Sequence, residues 1–259
     1  MKKIVLSVLL MLLISTASFS ETIKITNGEW EPYLSEYSYE YGLASHIVTE
    51  AFAQEGISIK WGFFPWKRSF ELAKKGTWDA SAVWWPTEET KNDFLISVPV
   101  ATTSFVFFHI KGRQFQWESF DDLKGLNIGY TGGYAYGKEF MDAVDKGTIK
   151  VDKISSDEKN FKKLLHGRLD IFPNDPIVGY AQIRNTFKPE EVERFTHHPK
   201  EFEKNTLNLI ISKKCKKGSF YLEKFNSGMD KLKKSGKLDE MFNILKTGKY
   251  DKQSKKWKK

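Results

Sequence analysis

Apolar and polar positions along this chain follow two periods, and the switches between them predict its elements. Thr22 to Thr26 reads as a strand and is followed by the irregular stretch NGEWEPYLSEYSYEYG. From Leu43 to Gln54 the period becomes helical, with Leu43, Ile47, Val48, Ala51 and Phe52 on one face. Gly56 ends that helix, and Ser58 to Phe63 is a second strand. Pro65 then opens a helix running to Lys75, with Trp66, Phe70 and Ala73 at helical spacing. Gly76 stops it, and Asp79 to Trp85 is an apolar run of strand length that Pro86 must end, since proline cannot donate to a sheet ladder. The order β-α-β-α-β predicts a mainly parallel sheet covered by helices.

Thr87 starts a short helix with Glu88 and Glu89 in its first turn, and a strand with the apolar run Ser104 to Ile110 follows. Past Lys111 to Gln116 the same grammar restarts. Strand Asn127 to Tyr130 leads into the turn TGGYAYG, a helix from about Lys138 and strand Thr148 to Ile154. Ser155 and Glu158 form a capping box for a helix ending at Gly167, followed by strand Leu169 to Phe172 and the turn PNDP. The segments LAKKGTWDASAVWWP and KLLHGRLDIFPNDP echo one another: a helix stops at Gly, Asp follows three residues later, and Pro lies beyond. Two similar halves facing each other are expected. Strand Leu207 to Ser212 precedes helices Phe220 to Lys234 and Leu238 to Lys246, and Ser104–Ile110 with Leu207–Ile211 is expected to form a two-strand hinge that permits closure.

Residues 1–20 pair a positive end (Lys2, Lys3) with an apolar stretch from Ile4 to Ile14 and small residues at Ser18 and Ser20. This is an export signal, too short for the roughly 20 apolar residues of a membrane span. With cleavage near Ser20 the next residue is Glu21, not a cysteine that accepts lipid, so a soluble periplasmic protein is expected. The only cysteine is Cys215, which excludes an intramolecular disulfide. The formal charge of +8 is concentrated at the ends: two charges belong to Lys2 and Lys3, and the tail KYDKQSKKWKK sets six lysines against one aspartate. The nearly neutral body argues against a nucleic-acid partner.

Catalytic and metal chemistry is poorly represented. His46, His109, His166, His197 and His198 lack ligand-like spacing apart from the adjacent pair, and neither a nucleophile elbow nor a zinc motif occurs, so no metal or cofactor is expected. The turn Tyr130-Thr131-Gly132-Gly133-Tyr134 presents backbone N–H groups at a helix start but lacks the dinucleotide spacing. Trp84 and Trp85, as consecutive strand residues, point to opposite faces, so one is core and the other available to a ligand.

These residues resemble the bacterial extracellular solute-binding proteins of family 3, which serve ABC importers of polar amino acids and related solutes. The likeness covers about Thr22 to Lys246. It rests on the export segment, the helix-Gly-strand-Asp pattern before Trp84, the Thr-x-x element at Thr87, DDLKG before the strand at Asn127, and LDIFPND. It implies an α/β, two-lobe periplasmic-binding-protein-like (type II) fold, each lobe a mainly parallel sheet flanked by helices, joined by a two-strand hinge. The expected parts are a signal peptide (1–20), lobe 1 (21–109 and 213–248), lobe 2 (110–212) and a basic tail (249–259). A monomer capturing a small polar solute, amino acid or amine-like, for an inner-membrane ABC permease is implied.

Carried over position by position, the resemblance places Asp175 where relatives hold the ligand's amino group, although Asp175 also suits an N-cap before Pro176. Val83, Trp84 and Pro86 fall where relatives line their pocket, with Trp30, Tyr33, Phe63 and Trp66 as further lining. Gly133 and Tyr134 belong to the lobe 2 turn, Tyr134 standing where relatives often have Thr. Where amino-acid binders carry Thr-x-x-Arg, this chain has Thr87-Glu88-Glu89-Thr90. Thr90 offers a neutral hydroxyl only, so an arginine clamp in lobe 1 requires Arg68, which is equally suited to an exposed helix surface. The alternatives are a periplasmic enzyme similar to the cyclohexadienyl dehydratases, with Glu88 or Glu89 as acid or base, and a sensory receptor without transport.

Overall fold

Strand β1 (Glu21–Asn27) runs parallel to both its neighbours, β2 (Ile57–Phe63) and β3 (Ala80–Trp84). The computed structural model describes residues 21–251 apart from 133 and 135, without the side chains of Glu89 and Lys246. The expected signal peptide, the tail beyond Asp251 and Gly133 therefore lie outside the described residues. Helices α1 (Leu43–Ala53) and α2 (Trp66–Lys74) make the crossovers between these strands. The apolar face predicted for α1 is fully buried and clusters with Ile23, Ile25 and Ile57.

Beyond α3 (Glu88–Asp93) comes β4 (Phe94–Ile110), a strand of 17 residues, paired antiparallel with β9 (Phe202–Ser212). β7 (Phe172–Asn174) and β8 (Phe195–His197) pair antiparallel with the far end of β4, and the main sheet has the order β2-β1-β3-β9-β4-β7. A second sheet joins β5 (Ile128–Thr131) and β6 (Val151–Ile154) in parallel, and Ile128 also bridges Ile171. Helices α4 (Lys138–Asp145), α5 (Asp157–Leu165), α6 (Pro176–Thr186) and α7 (Pro189–Val192) belong to this half. The chain then returns: α8 (Gly218–Lys234) buries Tyr221, Phe225, Met229 and Leu232 in the cluster of β1 and α1, with α9 (Lys237–Lys246) beside it. Separate apolar clusters fill the second half.

The internal echo has a structural meaning. Gly76 (φ +76°) and Gly167 (φ +69°) each take the left-handed conformation that lets a helix end and the chain turn back. Three residues on, Asp79 accepts from the Lys24 N–H at 2.8 Å and returns its own N–H to the Lys24 carbonyl. Asp170 does the same with Asn127, accepting its N–H at 2.6 Å. In each half one carboxylate ties the start of a strand to its neighbour.

Several expectations are corrected. The strands cross between halves at Ala101–Thr103 opposite Asn205–Leu207, with Phe105 opposite Phe202, rather than along Ser104–Ile110 and Leu207–Ile211. Val106 to Ile110 pair instead with β7 and β8, and Ile210 and Ile211 with β3 and the start of β4. The register of β4 shifts on both sides of Pro99, the place a residue without an N–H can be tolerated. β6 starts at Val151, not Thr148, because the segment before it is a turn. β7 starts at Phe172, its predecessor Ile171 making a single bridge. Helix α5 is capped by Ser156, which accepts from the Lys159 N–H, not by Ser155.

Candidate functional site

Three strand ends converge on a cleft of about 490 Å³ between the two halves. The loop after β1 supplies Glu29, Trp30 and Glu31, and the start of α2 supplies Trp66. Across from them stand Thr131, Gly132 and Tyr134 after β5, Ser155 to Glu158 after β6, and Gln182, Asn185 and Thr186 from α6. All the strand contributions come from carboxyl ends, where side chains of α/β sheets are free to meet a ligand. The walls touch at one edge, where the Asn185 amide donates to Glu31 at 3.2 Å. Nearby, Arg184 grips Asp251 at 2.7 Å.

On the first wall Trp66 lies so close to the backbone that a Cβ on Gly28 would come within 2.6 Å of its indole. Trp84 packs edge-on behind it with ring centres 5.2 Å apart, its indole N–H donating to Ser81. Trp30 stacks on Tyr33 at 5.0 Å, and Tyr33 itself is buried. The aromatic wall is thus two rings deep.

The opposite wall is organised around Asp157, the first residue of α5, which is only 3 % exposed. Its carboxylate accepts from the Thr131 hydroxyl, from the Tyr134 phenol at 3.0 Å and from the Gln182 amide at 3.2 Å. Asn160 donates to Thr131 at 2.9 Å, which fixes that hydroxyl toward Asp157. Every one of these donors is neutral. Burial therefore raises the Asp157 carboxyl above its ordinary value, against the opposing pull of its hydrogen bonds. Burial, with Asp157 beside it, also holds the Tyr134 phenol well above its ordinary value, so it remains a donor. The Gln182 Oε1 is buried with no hydrogen-bond partner.

Of the residues singled out from sequence, Trp30 and Tyr134 line this cleft, and Trp66 with them. Tyr33 and Trp84 form its second layer, whereas Val83 is buried in the core of the first sheet. Phe63 packs on Tyr41, and Pro86 is half-buried at the end of β3. Thr87 and Thr90 cap α3 reciprocally: the Thr90 hydroxyl donates to the Thr87 carbonyl at 2.8 Å and accepts its N–H at 2.7 Å. Arg68 is exposed, its guanidinium 5.1 Å over the Phe64 ring. Asp175 caps α6, accepting from the N–H groups of Ile177 at 2.8 Å and Val178 at 3.0 Å, and stands outside the ring of lining residues. Burial pushes its carboxyl up to about 6, and burial together with Asp175 raises the Tyr33 phenol.

Sequence reasoning passed over Glu29, Glu31, Asp157, Gln182 and Asn185. For Asp157 a signal existed, since SSDE follows directly on a strand at its ligand-facing end. Placing the cap one residue early hid it. Gln182 and Asn185 sit on a helix flank that periodicity alone does not aim.

The model of the bacterial extracellular solute-binding proteins, family 3, matches residues 25–259. This chain belongs to that family. Comparison with curated sequences returns no match. An ancestral arginine-binding protein bound to arginine superposes with a TM-score of 0.69 at 19 % identity, over 86 % of this chain and 97 % of that one. A histidine kinase sensor domain with similarity to periplasmic binding proteins gives a TM-score of 0.69 at 14 % identity, covering 87 % and 96 %. The ligand-binding core of GluR0 from Nostoc punctiforme, in complex with L-glutamate, gives 0.66 at 16 %, covering 86 % and 98 %. These likenesses establish the two-lobe type II fold of a family 3 solute-binding protein.

Proposed function

We propose that this family 3 protein, a periplasmic monomer, closes its lobes (21–109 with 213–248, and 110–212) on a small, positively charged polar solute. It then delivers that solute to the permease of an inner-membrane ABC importer. The observation that carries this reading is Asp157: a buried carboxylate at an interlobe cleft, satisfied by neutral donors alone. A buried carboxylate is unfavourable without a cation. A solute ammonium supplies one, and a ligand that favours the closed arrangement shifts the protein toward it. Family membership supports solute capture, and the apolar segment at residues 1–20 supports export. The dehydratase-like alternative assigned its acid or base to Glu88 or Glu89; Glu88 is exposed and paired with Lys91 at 2.8 Å, outside the cleft lining.

A sensory role without transport is a second reading, favoured by the likeness to the histidine kinase sensor domain. It uses the same cleft, and finding a permease gene beside this one would count against it. The experiment is a thermal-shift panel on residues 21–259 with amino acids, polyamines, betaines, sugars, prephenate and arogenate. A solute at 100 times its Kd adds about 2.7 kcal/mol of stability. The expected result is a shift with one solute class and no turnover; no shift with any solute, or consumption of prephenate or arogenate, contradicts it.

A further inference from the structure

We infer that the cleft selects an amine that lacks an α-carboxylate: a primary ammonium or guanidinium on a hydrocarbon or aromatic body, rather than a zwitterionic amino acid. This inference rests on the solute-capture reading and narrows it.

A zwitterion brings a carboxylate that needs a cation, and the described lining of the cleft holds none. Its lining holds four acidic side chains, Glu29, Glu31, Asp157 and Glu158, and no lysine or arginine. On the first wall the Thr90 hydroxyl is committed to its own helix start, and Arg68 lies over Phe64. Two exposed lysines at the edge of this wall have partners of their own, in the case of Lys159 the lining residue Ser155. Lys153 stands 5.5 Å from the centre of the Tyr130 ring, and Lys159 donates to Ser155 at 3.1 Å. The amino end of α5, the natural resting place for an anion in this wall, already holds the chain's own Asp157. A ligand carboxylate there meets a buried like charge.

The cation end, by contrast, is prepared. Asp157 accepts charge-assisted hydrogen bonds, and the Gln182 Oε1 beside it is an orphaned acceptor whose amide nitrogen is already committed to Asp157. Acceptors of this kind, side by side, suit the protons of an ammonium or the fork of a guanidinium. Opposite them, the indoles of Trp30 and Trp66 offer apolar faces to the body of the ligand, and such faces attract cations. A cavity of about 490 Å³ limits that body to a small molecule.

Calorimetric titration of residues 21–259 with three matched pairs tests this: agmatine and arginine, cadaverine and lysine, tyramine and tyrosine. The expected result is that in at least one pair the amine binds at least tenfold more tightly than its amino acid. Asp157→Asn then weakens that amine by about thirtyfold or more while melting without ligand no lower than the parent. The matched-pair preference is read on the unaltered protein and stands even if the variant folds poorly. An amino acid equal to or tighter than its amine in every pair that binds overturns the inference, as does unchanged amine affinity in Asp157→Asn. If none of the six binds but a sugar or an anion raises the melting temperature, the amine class falls and solute capture survives. If no solute binds at all, both fall.

Discussion

Replacing Asp175 by Asn or by Ala separates two roles that one carboxylate can play. The side chain is 3 % exposed, and its Oδ1 caps helix α6 through the N–H groups of Ile177 and Val178. Burial holds its carboxyl at about 6, against the ~3.9 of an unfolded chain. The folded protein therefore binds this proton more tightly than the unfolded one. The group's contribution to stability is fully present below about pH 4 and is lost as pH rises through 6. About two units of displacement amount to roughly 3 kcal/mol withheld at pH 7. Asn keeps the capping oxygen and cannot ionise, so Asp175→Asn gains up to that amount at pH 7 relative to its effect at pH 4. At about 2–4 °C per kcal/mol this is readable in melting curves recorded from pH 4 to 8. Asp175→Ala shows the same pH dependence but also removes the cap, so it lies about 0.5–2 kcal/mol below Asp175→Asn at every pH. Parallel pH profiles for Asp175→Asn and the parent protein refute the reasoning. Loss of solute binding in Asp175→Asn at undiminished stability moves Asp175 from cap to ligand.

Other substitutions probe the cleft and the repeated tether. Gly28→Ala, whose Cβ falls 2.6 Å from the Trp66 indole, displaces that ring, costs about 1–3 kcal/mol in urea unfolding and weakens solute binding. Asp170→Ala leaves the Asn127 N–H and the Arg113 guanidinium without their shared acceptor and lowers stability by about 1–3 kcal/mol. Arg68→Ala changes solute affinity by less than about twofold by calorimetry, since an exposed guanidinium over a ring contributes little beyond local packing.

The parts of the fold that local rules govern were legible in the sequence. Helix stops at Gly76 and Gly167, and the aspartates three residues beyond them, are short-range features and stand where the pattern put them. Strand β4 was harder: Pro99 and the threonines at 102 and 103 interrupt its apolar run, yet bulges absorb the proline and the strand continues from one half to the other. β8 is three residues long and acquires its identity only by pairing with β4. At the site, the sequence carried the aromatic residues and the missing arginine. It did not carry the depth of the aromatic wall, because whether Trp84 faces a ligand or backs Trp66 depends on a helix packed across the strand. In the sequence Asp157 is one of two adjacent acids at a helix start; only burial by Thr131, Tyr134 and Gln182 distinguishes it from Glu158, which is exposed and paired with Lys162.

A crystal structure of residues 21–259 grown with the tightest-binding solute of the panel puts the whole account at risk in one measurement. The predicted density lies between the lobes, with a positively charged nitrogen within hydrogen-bonding distance of both Asp157 and the Gln182 Oε1, and with the ligand body against Trp30 and Trp66. Density at Asp175 with the cleft empty, or a ligand whose anionic end rests on Asp157's wall, contradicts it.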